Sequence, residues 1–390
     1  MDNNNVDVVV VGAGMAGASV AAHLASRCTV LLLEKEPMPG MHATGRSAAS
    51  YIPSYRGLDP SLCALTQASR HFLESPPTGF SEHSLLKQRG LLTLFGQAPW
   101  AASEQQRSAL NEVLQSPIEV LDGEQVRHRL PELSQQWVGP AWWEPDVHDI
   151  DVNALHHGYL RLFQRRGGVI ETSKDVSASF ANGLWRVEAE GLSVSTPTVV
   201  NAAGAWADQF AAQCGVAPLG LTPKRRTAIL IDPPANCNIS SWPLVLAHDE
   251  SFYFKPDAGL LLVSPADEHP SVPCDAQPEE IDKAYAADFA MQALDGLNLT
   301  KIPHSWAGLR TFAPDGRPVV GFDAISPGFF WCAGQGGHGI QIAPAVAELA
   351  AELIAGSPSI SSINNVPFDP EWVSPARFTV TNNKTMAMPI

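Results

Sequence analysis

The chain has 390 residues, of which 45% are hydrophobic and 17% are charged, and its mean hydropathy is −0.03. This composition excludes a disordered chain, and at roughly 100 to 200 residues per domain the length indicates two joined domains. The formal net charge of −15 argues against a nucleic-acid partner, because a negative protein repels phosphate backbones at long range.

No apolar run approaches the roughly 20 residues that span a bilayer. The opening MDNNNVDVVVVGAG carries neither the charged region nor the cleavage site of a secretory signal. The six cysteines stand far apart, with no CxxC pair and no Cys/His cluster at metal-ligand spacing. We therefore expect a cytoplasmic protein with reduced thiols, no transmembrane segment and no metal site.

The first 34 residues predict a βαβ unit. Residues 6–11 are rich in β-branched side chains, residues 12–26 form a helix that opens on glycines, and residues 29–33 form a second buried strand. This second strand ends at Glu34, and a stretch of small and polar residues follows at 43–56.

The rest of the chain predicts more helices and a second sheet. Between about 80 and 145, strand-like LLTLF precedes helical DGEQVRHRL. Residues 220–320 consist largely of strands punctuated by Pro and Gly, which suggests an antiparallel sheet, and residues 328–333 form another buried strand. Further helices are predicted at residues 60–74, 151–166, 278–293 and 338–355.

A glycine motif marks a dinucleotide site. Gly12, Gly14 and Gly17 follow a predicted strand and open a helix, and Glu34 ends the next strand 20 residues after Gly14. The first glycine permits a tight turn, the second lets backbone amides approach a pyrophosphate, the third allows close helix packing, and the acid binds ribose hydroxyls. The motif by itself does not distinguish NAD from FAD.

The small-residue stretch His42–Ser50 favours FAD, because a long dinucleotide needs a second polar cradle for its pyrophosphate and ribityl chain. Arg46 and Ser47 are candidates for that cradle. The alternative is that Arg46 is an ordinary solvated loop charge.

Six segments and Glu34 together resemble the FAD-dependent D-amino-acid oxidase/glycine oxidase superfamily, over residues 6 to about 377. Within it, KRRTAIL (224–230) and DESFYFKPDAG (249–259) are most similar to bacterial D-amino-acid dehydrogenases, D-arginine dehydrogenase in particular. The six segments are GAGMAGAS (12–19), TGRSAAS (44–50), VVNAAGAWAD (199–208), WAGLR (306–310), DGRPVVG (315–321) and GQGGHGIQIAPA (334–345).

The resemblance implies a mixed α/β fold in which the second domain is inserted into the first. It implies a discontinuous Rossmann-like FAD-binding domain at 1–80, 150–220 and 325–377, and an antiparallel-sheet substrate domain at 81–149 and 221–324. The residues at the end of the chain, with TVTNNKTMAMPI, predict a disordered tail at 378–390.

The resemblance also implies which residues line FAD. Amides of the last glycine cluster would lie at a helix N-terminus, where they stabilise negative charge on the reduced flavin. The expected FAD-lining residues are Gly12, Ala13, Gly14, Met15, Ala16, Gly17, Glu34, Lys35, Ala43, Thr44, Gly45, Arg46, Ser47, Ala48, Ala49, Ser50, Val176, Ala203, Gly204, Gly336, Gly337, His338, Gly339, Ile340 and Gln341.

Arg226, Tyr253 and Arg310 match substrate-contacting positions of the similar dehydrogenases. Two guanidinium groups and a phenol suit an α-carboxylate, which arginine binds through paired, charge-assisted hydrogen bonds. The alternatives are surface ion pairs for the arginines and sheet core for Tyr253. Tyr55 matches a mobile loop that closes over the substrate and excludes water, or it is a loop aromatic packed on the surface.

Three positions depart from the arginine enzyme. Ser50 replaces a histidine near the substrate amine, so it is a poor base and positions the amine or a water. His338 replaces a tyrosine and either stacks near the flavin or caps the helix. Leu91 replaces the acid that receives the guanidinium, which leaves a cationic side chain without its partner and favours a neutral, apolar amino acid.

The expected activity is FAD-dependent oxidative deamination of a neutral D-amino acid to the imino acid, which hydrolyses to a 2-oxo acid and ammonia. The cofactor performs the redox step, and the protein orients Cα against its ring. One alternative is a sarcosine- or glycine-type amine oxidase, and another is a catalytically silent FAD-binding subunit. The electron acceptor stays open among a quinone, a carrier and O2.

Overall fold

We describe residues 5–54, 59–96, 100–357 and 360–378 of the protein from a computed structural model. Within these ranges the helices are α1 (Met15–Leu24), α2 (Pro60–Glu74), α3 (Trp100–Val113), α4 (Gly123–Arg129), α5 (Val152–Arg165), α6 (Ala207–Gln213), α7 (Glu280–Ala293) and α8 (Ala343–Ile354). Short 3-10 helices lie at Gln135–Trp137, Gly204–Trp206 and Pro370–Trp372.

The strands of the same ranges are β1 (Val8–Val11), β2 (Val30–Leu33), β3 (Ser50–Tyr51), β4 (Leu86–Gln88), β5 (Leu91–Leu94), β6 (Glu119–Leu121), β7 (Ala141–Glu144), β8 (His148–Ile150), β9 (Val169–Glu171), β10 (Ser177–Ala181), β11 (Leu184–Ala189), β12 (Leu192–Thr196), β13 (Thr198–Asn201), β14 (Thr222–Ile231), β15 (Leu244–Ala247), β16 (Tyr253–Asp257), β17 (Leu260–Ser264), β18 (His269–Pro270), β19 (His304–Phe312), β20 (Val319–Phe322), β21 (Phe329–Ala333), β22 (Ser362–Ile363) and β23 (Val366–Pro367).

A first sheet, six strands within the described residues, has the order β20-β21-β13-β1-β2-β9. Its strands run parallel except β20, which is antiparallel to β21. Every residue of β1 and β2 is buried, as continuous apolar runs require when both faces of a sheet are covered. Helices α1, α5 and α8 pack on one face. The sheet β10-β11-β12 and helix α6 pack on the other face.

A second, larger sheet has the strand order β18-β14-β17-β16-β15-β5-β7-β6. Strand β19 pairs with β14 from Thr222 to Leu230. Its pairs are antiparallel except that β15 runs parallel to β5, so the expected antiparallel sheet is in fact mixed at this point. Helix α7 covers one face, where the alternate apolar side chains of β14 and β17 are buried. The mixed α/β fold predicted from the sequence is confirmed.

The predicted domain limits remain a prediction, and two of them cut through these sheets. Strand β20 lies before the expected limit at 324, yet it pairs with β21 in the first sheet. In a further sheet with the order β3-β8-β4, strand β3 of the expected cofactor domain pairs with residues 148 and 149 of the expected substrate domain. Most of the predicted tail, residues 379–390, lies outside the described residues.

The last glycine cluster forms turns instead of the first turn of a helix. Gly334 and Gly336 have φ values of 65° and 53°, which an α-helix does not permit, and helix α8 begins only at Ala343. The expectation that residues 336–341 form the helix N-terminus is therefore wrong, although their amides precede it directly.

None of the helices in the described part of the chain is both long enough and apolar enough to span a membrane.

Candidate active site

A cavity of about 690 Å³ extends from the glycine turn after β1 to one face of the larger sheet. Most of the residues expected to line FAD form its wall. Four of them do not: Ala13 and His338 are buried away from the cavity, Gly17 packs against Gly12, and Gly45 packs against Gly40. Tyr55 lies outside the described residues.

The glycine turn has the geometry that its sequence predicts. Gly12 has a φ of 100°, and a Cβ there would lie 2.4 Å from the carbonyl oxygen of Ala202, so only glycine fits. The Ala13 amide donates to Oε2 of Glu34 over 2.7 Å, and the Glu36 amide donates to Oε1 of the same carboxylate over 2.9 Å. Glu34 is 9% exposed and lines the cavity beside the turn, where a ribose of a dinucleotide would lie.

The segment 43–50 forms a second wall of the cavity and is bound to helix α1 and to strand β19. Oγ1 of Thr44 accepts a hydrogen bond of 2.9 Å from the Met15 amide at the start of α1. The Arg46 guanidinium donates to the carbonyl oxygens of Ala276 and Ala307 over 2.8 and 3.0 Å and pairs with Asp275. Arg46 is therefore not a solvated loop charge, because its donors bind carbonyl groups and a carboxylate, and its contact with the cofactor stays a prediction.

The predicted carboxylate-binding residues converge on the cavity from three strands. Arg226 on β14, Tyr253 on β16 and Arg310 on β19 all line it. The Arg226 guanidinium lies 6.0 Å from the centroid of the Tyr253 ring and pairs with Glu268 over 3.0 Å. The structure therefore brings Arg226 beside the Tyr253 ring and also gives it an acidic partner, and the binding of a carboxylate here stays a prediction.

The charge around Tyr253 changes its acidity. Burial would raise the pKa of the phenol, but the positive charges of Arg310, Arg226 and Lys255 and a hydrogen bond with Ser264 outweigh burial and lower that pKa from its ordinary value. This end of the cavity is therefore a positive environment that favours an anion.

Sequence reasoning missed Lys255, which is 5% exposed and lines the same cavity. Its ammonium lies 2.8 Å from Oδ1 of Asp149 and 3.4 Å from Oγ of Ser50, while Oδ2 of Asp149 accepts from Arg89 over 2.7 Å. The segment FYFKP could have indicated Lys255, since residues two apart on a strand share a face and Lys255 follows the candidate Tyr253 by two residues. The neighbour of Ser50 is thus a buried cation.

Sequence reasoning also missed Glu144, which is 6% exposed and lines the cavity. It lies directly opposite Leu91 in the antiparallel pair of β7 and β5. Burial, helped by the negative charge of Asp146 and opposed by a hydrogen bond with Ser54, raises the pKa of Glu144 to about 7. The expectation that this end of the pocket offers no acid is therefore wrong, since the neighbouring strand supplies one.

His338 is 1% exposed, its amide donates to the carbonyl of Gln335 over 3.0 Å, and its carbonyl accepts from the Ile342 amide over 3.1 Å. The residue thus belongs to the turn that leads into α8. Its side chain does not line the cavity, and the N-cap of helix α8 is Ile342 without a side-chain hydrogen bond, so the role of His338 stays a prediction.

Comparison with protein families matches residues 7–353 to the DAO family, described as FAD dependent oxidoreductase. The chain belongs to this family. It is therefore an FAD-dependent oxidoreductase. Glycine oxidase of Bacillus licheniformis is 25% identical over 364 residues, 90% of this chain and 94% of that protein. Glycine oxidase of Bacillus subtilis is 25% identical over 388 residues, 89% of this chain and 92% of that protein.

The fold is also that of L-proline dehydrogenase from P. horikoshii, whose crystal structure superposes with a TM-score of 0.82 at 22% identity, covering 97% of this chain and 99% of that one. The cofactor of the family is FAD, and the cavity fits it. A buried acid stands at the glycine turn, and Gly14 leaves space that a Cβ, 3.2 Å from Oγ1 of Thr44, would occupy. The wall then continues through segments 43–50 and 336–341 to the positive end.

Proposed function

We propose that the protein oxidises the Cα–N bond of an α-amino acid of the D configuration, giving an imino acid that hydrolyses to a 2-oxo acid and ammonia. The observation that carries the proposal is that Arg226, Tyr253 and Arg310 line the same cavity as the dinucleotide turn. Amino acids are also named as substrates in the names of glycine oxidase and L-proline dehydrogenase. The D configuration follows the resemblance to D-amino-acid dehydrogenases.

In the proposed complex the substrate carboxylate binds at the positive end of the cavity. Arg310 offers a planar pair of donors, and Tyr253 adds a hydroxyl whose proton is held less tightly than usual because of the cations around it. The segments 43–50, 336–341 and the glycine turn would hold FAD, which supplies the redox chemistry by accepting the Cα hydrogen with its electron pair. The protein contributes the orientation of Cα and the exclusion of water.

Lys255 and Asp149 would together position the substrate amine. If the amine lies beside Ser50, it meets both the ammonium 3.4 Å from Oγ of Ser50 and the carboxylate 2.8 Å from that ammonium. The ion pair would therefore orient the amine through hydrogen bonds next to Cα. Asp149 fixes the position of Lys255.

The test is anaerobic bleaching of the flavin by a panel of D-amino acids, L-amino acids and N-methyl amines, followed by identification of the product. Reduction by D-amino acids with release of ammonia supports the proposal. Reduction by N-methyl amines alone would identify a secondary-amine oxidase instead, and no reduction by any of them would indicate a silent FAD-binding subunit. Reoxidation with O2, a quinone analogue or an artificial carrier then identifies the class of electron acceptor.

A further inference from the structure

The far end of the cavity is built from one row of side chains on three neighbouring strands. Leu244 on β15 is in register with Leu91 on β5, and Leu91 is in register with Glu144 on β7. All three line the cavity, and the next row on the same face is Leu246, Thr93 and Trp142. A ligand that lies along this row therefore meets two leucines first and a carboxyl group last.

The distance across these strands suits a substrate whose side chain extends from the carboxylate-binding end toward Glu144. Tyr253 on β16 is in register with Leu246 on β15, so β16 and β7 are separated by three strand spacings. At about 4.8 Å per spacing this is roughly 14 Å between backbones, from which the side chains at both ends extend inward. A short substrate such as glycine would leave the leucines and Glu144 uncovered.

Glu144 is buried and lines the cavity, and it forms no ion pair with a cation in the part of the chain that the structure describes. Its pKa is raised to about 7 because burial disfavours the charge and Asp146 adds to that effect, against a hydrogen bond with Ser54. Within the described ranges, the nearby cations are committed to other groups. Arg70 pairs with Asp146, Arg89 and Lys255 pair with Asp149, and the Arg129 guanidinium lies 4.3 Å from the Trp143 ring centroid.

We infer that Glu144 is the specificity-determining residue for the substrate side chain and that it binds a cation, an ammonium or guanidinium, at the end of an aliphatic chain. The inference rests on the proposed function. A buried carboxylate is costly in free energy unless a charge is paired with it, and a ligand cation supplies that charge without rearranging the protein. The leucines of the row pack against the aliphatic part.

The experiment compares two substrates of nearly equal shape that differ in charge, lysine and norleucine, each in the enantiomer that the enzyme oxidises. The measured quantity is the ratio of kcat/KM for lysine to that for norleucine, obtained from anaerobic flavin reduction. The wild type should prefer lysine. Glu144→Gln should lower the ratio by about 30-fold or more, the effect usual for removing one member of a buried charge pair, and Glu144→Asp should restore part of it.

Glu119→Gln is the matched control, because Glu119 is an exposed carboxylate on β6, the strand next to β7, and does not line the cavity. It should leave the ratio within a factor of two or so of the wild-type value, as expected for an exposed charge. If Glu144→Gln does not hold FAD, Leu91→Lys replaces it as the test, because an ammonium opposite Glu144 should abolish the preference for lysine.

A wild-type enzyme that prefers norleucine, or a ratio that Glu144→Gln and Leu91→Lys leave unchanged, overturns the inference while the proposed function stands. If the enzyme prefers glutamine to both lysine and norleucine, Glu144 binds a neutral hydrogen-bond donor and not a cation, and the inference is likewise overturned. If neither enantiomer of any amino acid is oxidised, the proposed function and this inference are both refuted.

Discussion

Replacing Glu144 with glutamine is expected to change how the stability of the protein depends on pH. The folded state raises the pKa of this carboxyl from 4.5 to about 7. Below pH 4.5 the group is protonated in both the folded and the unfolded chain, so it contributes nothing. Between these values the unfolded chain ionises first, and the free energy of unfolding falls as the pH rises. Above about 7 the full loss is present.

The magnitude follows from the two pKa values. A rise from 4.5 to about 7, at about 1.4 kcal/mol per pKa unit, corresponds to about 3 kcal/mol of stability lost on going from acid to mildly alkaline solution. Glutamine does not titrate and is close in shape. The free energy of unfolding of the variant should therefore rise relative to that of the wild type by about 3 kcal/mol over this range.

The assay is urea-induced unfolding of both holoproteins at several pH values, since a linear extrapolation gives the free energy of unfolding at each. Starting from about pH 5.5, above the isoelectric point of about 5.2, the expected relative gain is about 2 kcal/mol by pH 8.5. Glu119→Gln, which changes an exposed carboxylate on the neighbouring strand β6, should follow the wild type. Parallel pH dependences for wild type and Glu144→Gln would refute the conclusion that Glu144 ionises at a cost in the folded protein.

Three further variants test other parts of the site. Gly12→Ala should lose bound FAD, because its Cβ would lie 2.4 Å from the Ala202 carbonyl at a φ of 100°, with backbone strain of about 1 to 3 kcal/mol; full flavin absorbance in the purified variant would contradict this. Arg310→Met should retain FAD, and its kcat/KM should fall by an amount that corresponds to about 2 to 5 kcal/mol of transition-state stabilisation. Wild-type kinetics in this variant would remove Arg310 from the site. Leu91→Glu places a second carboxyl group opposite Glu144, and the two groups should share one proton near neutrality. The preference of this variant for cationic substrates should therefore exceed that of the wild type only at higher pH. A preference that already exceeds the wild-type value at pH 6 would show that the two groups do not interact.

The sequence by itself determined the elements that depend on residues close to one another in the chain. The glycine turn and Glu34 lie within one βαβ unit, and the conformation of Gly12 is demanded by the motif itself. Helix α2 begins and ends where predicted, Pro60–Glu74, because Asp59 caps it by accepting hydrogen bonds from the amides of Ser61 and Leu62. Arg226 and Tyr253, by contrast, were predicted from the resemblance to the dehydrogenases and not from a local pattern.

Only the tertiary structure decided which strands are neighbours and therefore which charges meet. The residue type at 91 predicted an apolar pocket, but the pairing of β5 with β7 places Glu144 beside it. The donors of Arg46 reach carbonyl groups more than 200 residues away, at Ala276 and Ala307. The two-residue period of a strand indicates which face of the sheet a side chain occupies. Which strand lies next to it depends on packing between segments that are distant in the sequence, and this packing leaves no local pattern. The positive end of the cavity was therefore predictable from the sequence, and its acidic end was not.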